Sequence, residues 1–193
     1  MAQLDSRTVV GLVPEIKEIQ DTTMREKVVE YWVLAYGRSA WAGVAALDVV
    51  PYNTAIFTAS LVGHSRSVAR TALGHARSIG ELYGIEYDLD TLVAGAVLHD
   101  VCKLLESDPD PAHAGRAVKS AIGARLTHGV IGAYLARELE LSLDVEHMIL
   151  THTPQSRTLP QTPEGVLVRH VDVMDADVLY GNAGLELFLG RNE

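Results

Sequence analysis

Apolar residues recur along most of this chain at intervals of three and four, the period of a helix that buries one face. Residues 13–36 (PEIKEIQDTTMREKVVEYWVLAYG) predict one or two helices, with Asp21-Thr-Thr as a cap between them. A loop around Asp48–Asn53, holding Pro51, precedes a long helix expected from about Thr54 to Tyr83. Asp88 or Asp90 can cap the next helix, which the pattern carries to about Glu106. The run Ser107-Asp-Pro-Asp-Pro-Ala-His breaks it. Two further helices are expected at about Arg116–Leu139 and Ser142–Thr151. A polar loop, Thr153–Pro163, then leads to a last helix at about Glu164–Tyr180. Strand-like alternation is scarce, and no repeat, low-complexity tract or linker divides the chain. The pattern predicts an all-α domain.

Several polar residues interrupt the apolar stripes at positions that should be buried. On the helix expected to end at Glu106, the stripe of Leu92, Val93, Ala96 and Val97 continues onto His99 and Asp100. An unpartnered buried carboxylate costs roughly several kcal/mol, and a divalent cation would offset that cost. His64 lies three residues after Leu61 and four before Val68, and His128 precedes Ile131 and Leu135 on one face. His152 follows Met148 and Ile149, and Asp172 neighbours Val168 and Val171. A lone histidine on an apolar face is ordinarily a hydrogen-bonded core residue. Several in the same placement, with an adjacent His-Asp pair, point to a metal. Imidazole and carboxylate suit divalent Fe, Mn, Zn or Co, and ligands from several helices can meet in a bundle core. Periodicity leaves two choices open. His75 shares a face with His64 but lies ~16 Å further along the axis at ~1.5 Å per residue, so one site cannot use both. Asp175 competes in the same way with Asp172.

Composition narrows the function classes. At 193 residues and 48% hydrophobic, the chain can bury one substantial core. A net charge of −9 argues against binding a nucleic-acid polymer, which would call for a basic face. A small anionic substrate is still compatible, because a bound cation supplies local positive charge. No apolar run approaches the ~20 residues that span a bilayer, so no membrane partner is expected. Met1-Ala-Gln-Leu-Asp lacks a basic region followed by an apolar run, so no secretory signal is expected and the default location is cytoplasmic. The single cysteine, Cys102, excludes an intramolecular disulfide and reads as a small core thiol.

The assembled residues resemble the HD superfamily of metal-dependent phosphohydrolases over about residues 54–180. Gly63-His-Ser-Arg-Ser-Val-Ala-Arg is similar to the family's first motif, and Leu98-His-Asp-Val-Cys-Lys to its signature, with Cys102 where glycine is frequent. Val168-Arg-His-Val-Asp-Val-Met-Asp-Ala is similar to its last motif. The resemblance implies His64, His99, Asp100 and Asp172 as metal ligands, over His75 and Asp175. Thr127-His-Gly-Val-Ile-Gly-Ala and Ile149-Leu-Thr-His-Thr sit where two-metal relatives carry extra histidines. His128 and His152 would then bind a second ion bridged by Asp100; otherwise they position the first ligands or contact substrate. The implied organisation is an N-terminal helical segment (1–53) packed on a metal-binding helical domain (54–180), then a tail (181–193), as one structural domain.

The implied chemistry is hydrolysis of a phosphate ester, such as a nucleotide or other small phosphorylated metabolite, by metal-activated water. Asp100 and Lys103 would carry it, with Lys103 projecting one turn beyond His99 to hold a substrate oxyanion or, alternatively, pairing with Glu106. Arg66, and Arg157 in the polar loop with Gln155 and Ser156, are further candidates for substrate contact. Trp32, Tyr36 and Trp41 would pack in the core, cover the mouth of the site or form a homodimer contact. A rival chemistry on the same fold is oxygenation at a di-iron centre, or hydration or lysis of a small molecule.

Overall fold

The computed structural model describes residues 4–190, so Met1–Gln3 and the last three positions of the expected tail lie outside the described residues. Most of its helices begin where short polar side chains accept the free N–H groups of a first turn. Asp5 opens α1 (Ser6–Leu12), and a short 3-10 turn (Pro14–Glu18) follows. Asp21 opens α2 (Thr22–Arg38) by accepting from Met24 N at 3.0 Å. Ser60 opens α3 (Leu61–Tyr83), which ends on Gly84 in the left-handed region at φ 67°. Of the two caps open for α4 (Leu89–Leu98), Asp88 is used, accepting from Thr91 N. Asp90 instead takes the N–H groups of Gln20 and Asp21 at 2.7 and 2.8 Å, tying the start of α2 to α4.

The chain turns through His99–Cys102 into a one-turn helix, α5 (Lys103–Glu106), rather than running as one helix to Glu106. A small antiparallel hairpin follows, β1 (Ser107–Pro109) with β2 (Ala117–Lys119), in the register Ser107 opposite Lys119. Beyond it lie α6 (His128–Glu138), α7 (Leu143–Thr151) capped by Ser142, and α8 (Pro163–Asn182) capped by Thr162. The fold is all-α, with this hairpin its one small sheet among the described residues.

Two stretches expected to be helical are not. Thr54–Ser60 is a strapped loop: Pro51 bridges Ser60, Tyr52 N donates to Ala59 O at 2.8 Å, and Asn53 Oδ1 accepts from Ala55 and Ile56. Residues 116–127 form β2 and a turn, because Ser120 sends its N–H to Glu106 O (3.0 Å) and its hydroxyl to Leu105 O (2.6 Å). Those tertiary bonds compete with a helix that the local composition alone would favour.

α4 is the hub. Every residue from Thr91 to Leu98 is buried, and the helix packs on α2, α3, α7 and α8. Gly95 permits the close approach of α7, since a side chain there would run into Met148. Val9, Val28, Tyr31 and Trp32 from the N-terminal segment join the same core. Trp32, Tyr36 and Trp41 are all buried there; Trp41 Nε1 donates to Ser107 O at 2.8 Å and thereby anchors the hairpin. Among the described residues no helix is long and apolar enough to cross a membrane.

Candidate metal centre

The end of α4 carries His99 and Asp100 into the middle of the molecule, and four other elements bring side chains to meet them. His64 comes from the first turn of α3, His128 is the first residue of α6, His152 follows the end of α7, and Asp172 lies midway along α8. All six are buried. The starts of α3 and α6 and the end of α7 thus meet the end of α4, with the middle of α8 alongside.

The donor atoms fall into two groups that share Asp100. In the first, His64 Nε2 lies 3.1 Å from His99 Nε2, 3.1 Å from Asp172 Oδ1 and 3.2 Å from Asp100 Oδ2. His99 Nε2 is 3.5 Å from Asp100 Oδ2 and 3.6 Å from Asp172 Oδ1. In the second, His128 Nε2 lies 3.1 Å from both His152 Nε2 and Asp100 Oδ1, and His152 Nε2 is 3.4 Å from the same oxygen. With bonds of about 2.1 Å to a first-row divalent ion, neighbouring ligand atoms stand about 3.0–3.4 Å apart. Most of the separations, at 3.1–3.4 Å, fall in that range, and the two from His99 to the carboxylates, at 3.5 and 3.6 Å, lie just beyond it.

The outer nitrogens of the imidazoles explain why the inner ones face inward. His99 Nδ1 donates to Ala96 O (2.7 Å) and His152 Nδ1 to Ile149 O (2.8 Å), so each proton sits on Nδ1 and leaves an Nε2 lone pair. His64 Nδ1 lies 2.7 Å from Asp175 Oδ2, and Asp175 is itself held by Ser67 Oγ at 2.5 Å. His128 Nδ1 faces Glu106 Oε2 at 3.3 Å. Thus Asp172 points at the inner nitrogens while Asp175, three residues on, braces His64 from behind. His75, the other candidate in α3, is exposed.

Electrostatics point to a cation. Burial opposes charge on His64, yet contacts with Asp100, Asp172 and Asp175 lift its pKa to about 10. His99 rises to about 9 against the same burial, driven by Asp100 and Asp172. Burial would raise Asp100, but Lys103, His99, His128 and His152 hold it well below the usual carboxylate range. Asp172 is also held below that range, with His64 and His99 outweighing burial. His152 is lowered, mainly by burial, and so stays neutral. Asp100 Oδ1 is fully buried and makes no aligned hydrogen bond, although two imidazole nitrogens flank it. Without an ion, His64 and His99 keep protons against these carboxylates at neutral pH, and a divalent cation would take the place of those protons.

The second group borders a cavity of about 210 Å³, whose walls include Asp100, His128, His152, Lys103, Glu106 and Lys119. Tyr52, Asn53 and Thr54 of the strapped loop form another side. Phe188 closes a further side; its N–H is taken by Asp177 Oδ1 at 2.6 Å, which folds the C-terminal segment back onto α8. Lys103 Nζ lies 2.6 Å from Asp100 Oδ2 and 3.8 Å from the centre of the Tyr52 ring. Its partner is therefore Asp100, while Glu106 pairs with His128 and Lys119.

Two predicted contacts lie elsewhere. Arg66 pairs with Glu15 (Nε to Oε2, 3.0 Å) and lines a separate surface groove with Ser67 and Arg70. Arg157 is exposed and is not on the cavity wall, whereas Gln155 of the same loop is. Sequence reasoning missed Glu106 as the brace of His128, and Lys119 altogether. Glu106 lies seven residues after His99, a helical spacing that loses its meaning where α4 breaks. Cys102 is a buried thiol beside Tyr31 Oη at 3.3 Å, its pKa pushed up to about 12 by burial.

An all-α core presenting histidines and aspartates in this order defines the class, and the chain matches the HD domain family over residues 61–177. That is well over half of its length: the chain belongs to the HD family and is a metal-dependent phosphohydrolase. It is similar to a dihydroneopterin 2',3'-cyclic phosphate phosphodiesterase of Methanocaldococcus jannaschii, 24% identical over 179 residues, covering 86% of this chain and 68% of that protein. No solved structure matches the chain significantly.

Proposed function

We propose that this chain hydrolyses a small phosphodiester at a two-ion centre of divalent Fe, Mn, Zn or Co. His64, His99, Asp100 and Asp172 hold one ion; Asp100, His128 and His152 hold the other. One observation carries the reading: the two oxygens of Asp100 face different donor groups, Oδ2 toward His64 and Oδ1 toward His128 and His152. The second group has three protein donors and borders the cavity, which leaves room for a water and a substrate oxygen. When bound, the ions would lower the pKa of water toward neutrality and polarise the phosphoryl oxygen.

The chain's own residues do the rest. Asp175, Glu106 and the carbonyls of Ala96 and Ile149 fix the imidazoles, so that no reorganisation is needed on binding. Lys103, held over the Tyr52 ring on the cavity wall, neutralises charge on a phosphoryl oxygen. The burial of the centre excludes bulk water and strengthens each of these interactions. The relative, named for phosphodiesterase activity on a cyclic phosphate, supports a diester rather than a monoester.

The test joins elemental analysis of the purified protein to assays on bis-p-nitrophenyl phosphate, cyclic nucleotides and p-nitrophenyl phosphate. Bound first-row metal with diesters preferred is the expected result. Oxygen uptake by an iron-loaded protein that hydrolyses none of them would replace hydrolysis with oxygenation.

A further inference from the structure

The cavity needs a group to receive whatever part of a substrate lies beyond the reacting phosphate. Arg66 and Arg157 do not reach it. Among the described residues, Lys103 and Lys119 are the basic residues on its wall. They differ in kind. Lys103 is buried, with its side chain 11% exposed, and lies 2.6 Å from Asp100, where it would face the reacting phosphate. Lys119, at the end of β2, is half exposed at 50% and reaches Glu106 Oε1 at 2.9 Å. Glu106 is anchored independently, accepting His128 N–H on Oε1 at 3.2 Å and facing His128 Nδ1 with Oε2. One carboxylate and one imidazole ring thus separate the Lys119 ammonium from the donors around Asp100.

We propose that Lys119 is a specificity-determining residue that binds a second anionic group of the substrate, one set apart from the phosphate being cleaved. This rests on the phosphohydrolase reading above. Physical reasons support the assignment. The Lys119 side chain is half exposed, and its buried partner Glu106 keeps His128 as a second partner, so the lysine can share its charge with a substrate anion without leaving that carboxylate alone. Its anchor is rigid: Lys119 sits opposite Ser107 in the hairpin, and Ser107 O accepts from the buried Trp41 indole. The ammonium is therefore tethered by its backbone and mobile only along its side chain. A substrate anion that arrives there finds a cation with no need to displace Lys103 from Asp100. The substrate class that follows is a phosphodiester carrying a further phosphate or carboxylate.

The experiment measures binding to the metal-loaded enzyme by calorimetry, with alkylphosphonates that do or do not bear a terminal carboxylate. A charge-assisted contact of this kind should give wild type about a tenfold preference for the carboxylated compound at its best chain length. Lys119→Met should remove that preference while metal content stays full, and Lys119→Arg should keep most of it. In kinetics, Lys119→Met should raise KM more than it lowers kcat for a diester carrying the second anion. A preference that survives Lys119→Met overturns the proposal. So does loss of bound metal in that variant, which would mean the lysine serves His128 through Glu106. Failure of the phosphohydrolase reading would appear separately, as absence of diester hydrolysis by the wild-type holoenzyme.

Discussion

The four buried imidazoles each turn one nitrogen inward because a fixed acceptor claims the other, and those acceptors make the sharpest residue-scale predictions. Asp175→Ala removes the carboxylate 2.7 Å from His64 Nδ1. Metal affinity should fall by about 10–100-fold, as measured by competition with a coloured chelator. Asp100→Ala should empty both donor groups, since each uses one of its oxygens. Full metal content in that variant, by elemental analysis, would contradict the assignment. His75→Ala should leave metal content unchanged, because His75 is exposed on the far part of α3. The neighbouring aspartates thus have different duties that spacing alone could not separate. Both lie on the inner side of α8, and only the position of His64 shows which oxygen meets Nε2 and which meets Nδ1.

At the scale of elements, the proposed metal centre depends on a hairpin and turn that look marginal by themselves. The turn after β2 lies against the backbone of Glu106, and a side chain at Gly123 would collide with the Glu106 carbonyl. Backbone cannot yield as a flexible side chain can, so Gly123→Ala should destabilise the protein by about 1–3 kcal/mol in urea denaturation. It should also weaken metal binding, because the displaced Glu106 braces His128. A variant with wild-type stability and metal content would show that the turn moves freely. This is also the region where periodicity misleads. Arg116–Leu126 has the alanines and long side chains of a helix, yet Ser120 in its middle bonds to the carbonyls of Leu105 and Glu106. Local propensity is worth tenths of a kcal/mol per residue, and such bonds outweigh it.

For the whole molecule, the proposed ions would tie five elements together at the end of α4, so binding and folding would be linked. An ion present at about a thousand times its Kd stabilises by about 4 kcal/mol, which shifts Tm by roughly 10 °C in a chain of this size. Chelation followed by scanning calorimetry should show that fall. The pH dependence of the chelated protein has a definite sign. His64 and His99 have pKa values raised from 6.5 to about 10 and 9, so their contribution is complete below 6.5 and lost as pH rises through 9 to 10. Asp100 and Asp172, held low, contribute above the ordinary carboxylate value of 3.8 and lose that contribution as pH falls below it. Metal binding needs the deprotonated imidazoles, so the gap in Tm between loaded and chelated protein should widen from pH 6.5 to about 9. A gap independent of pH would mean that these histidines are not ligands.

The sequence by itself determined the all-α class and the cap at Asp21, because these follow from local periodicity and short-range hydrogen bonds. It also marked His64, His99, Asp100, His128, His152 and Asp172 as polar residues on buried faces, since burial of a helix face is written in its spacing. Only the tertiary structure decided which of them share a point, which aspartate faces in, and that Lys119 rather than Arg66 or Arg157 stands on the cavity wall. Those outcomes depend on where helices end and cross, and on bonds between residues far apart in the chain. No local pattern encodes them.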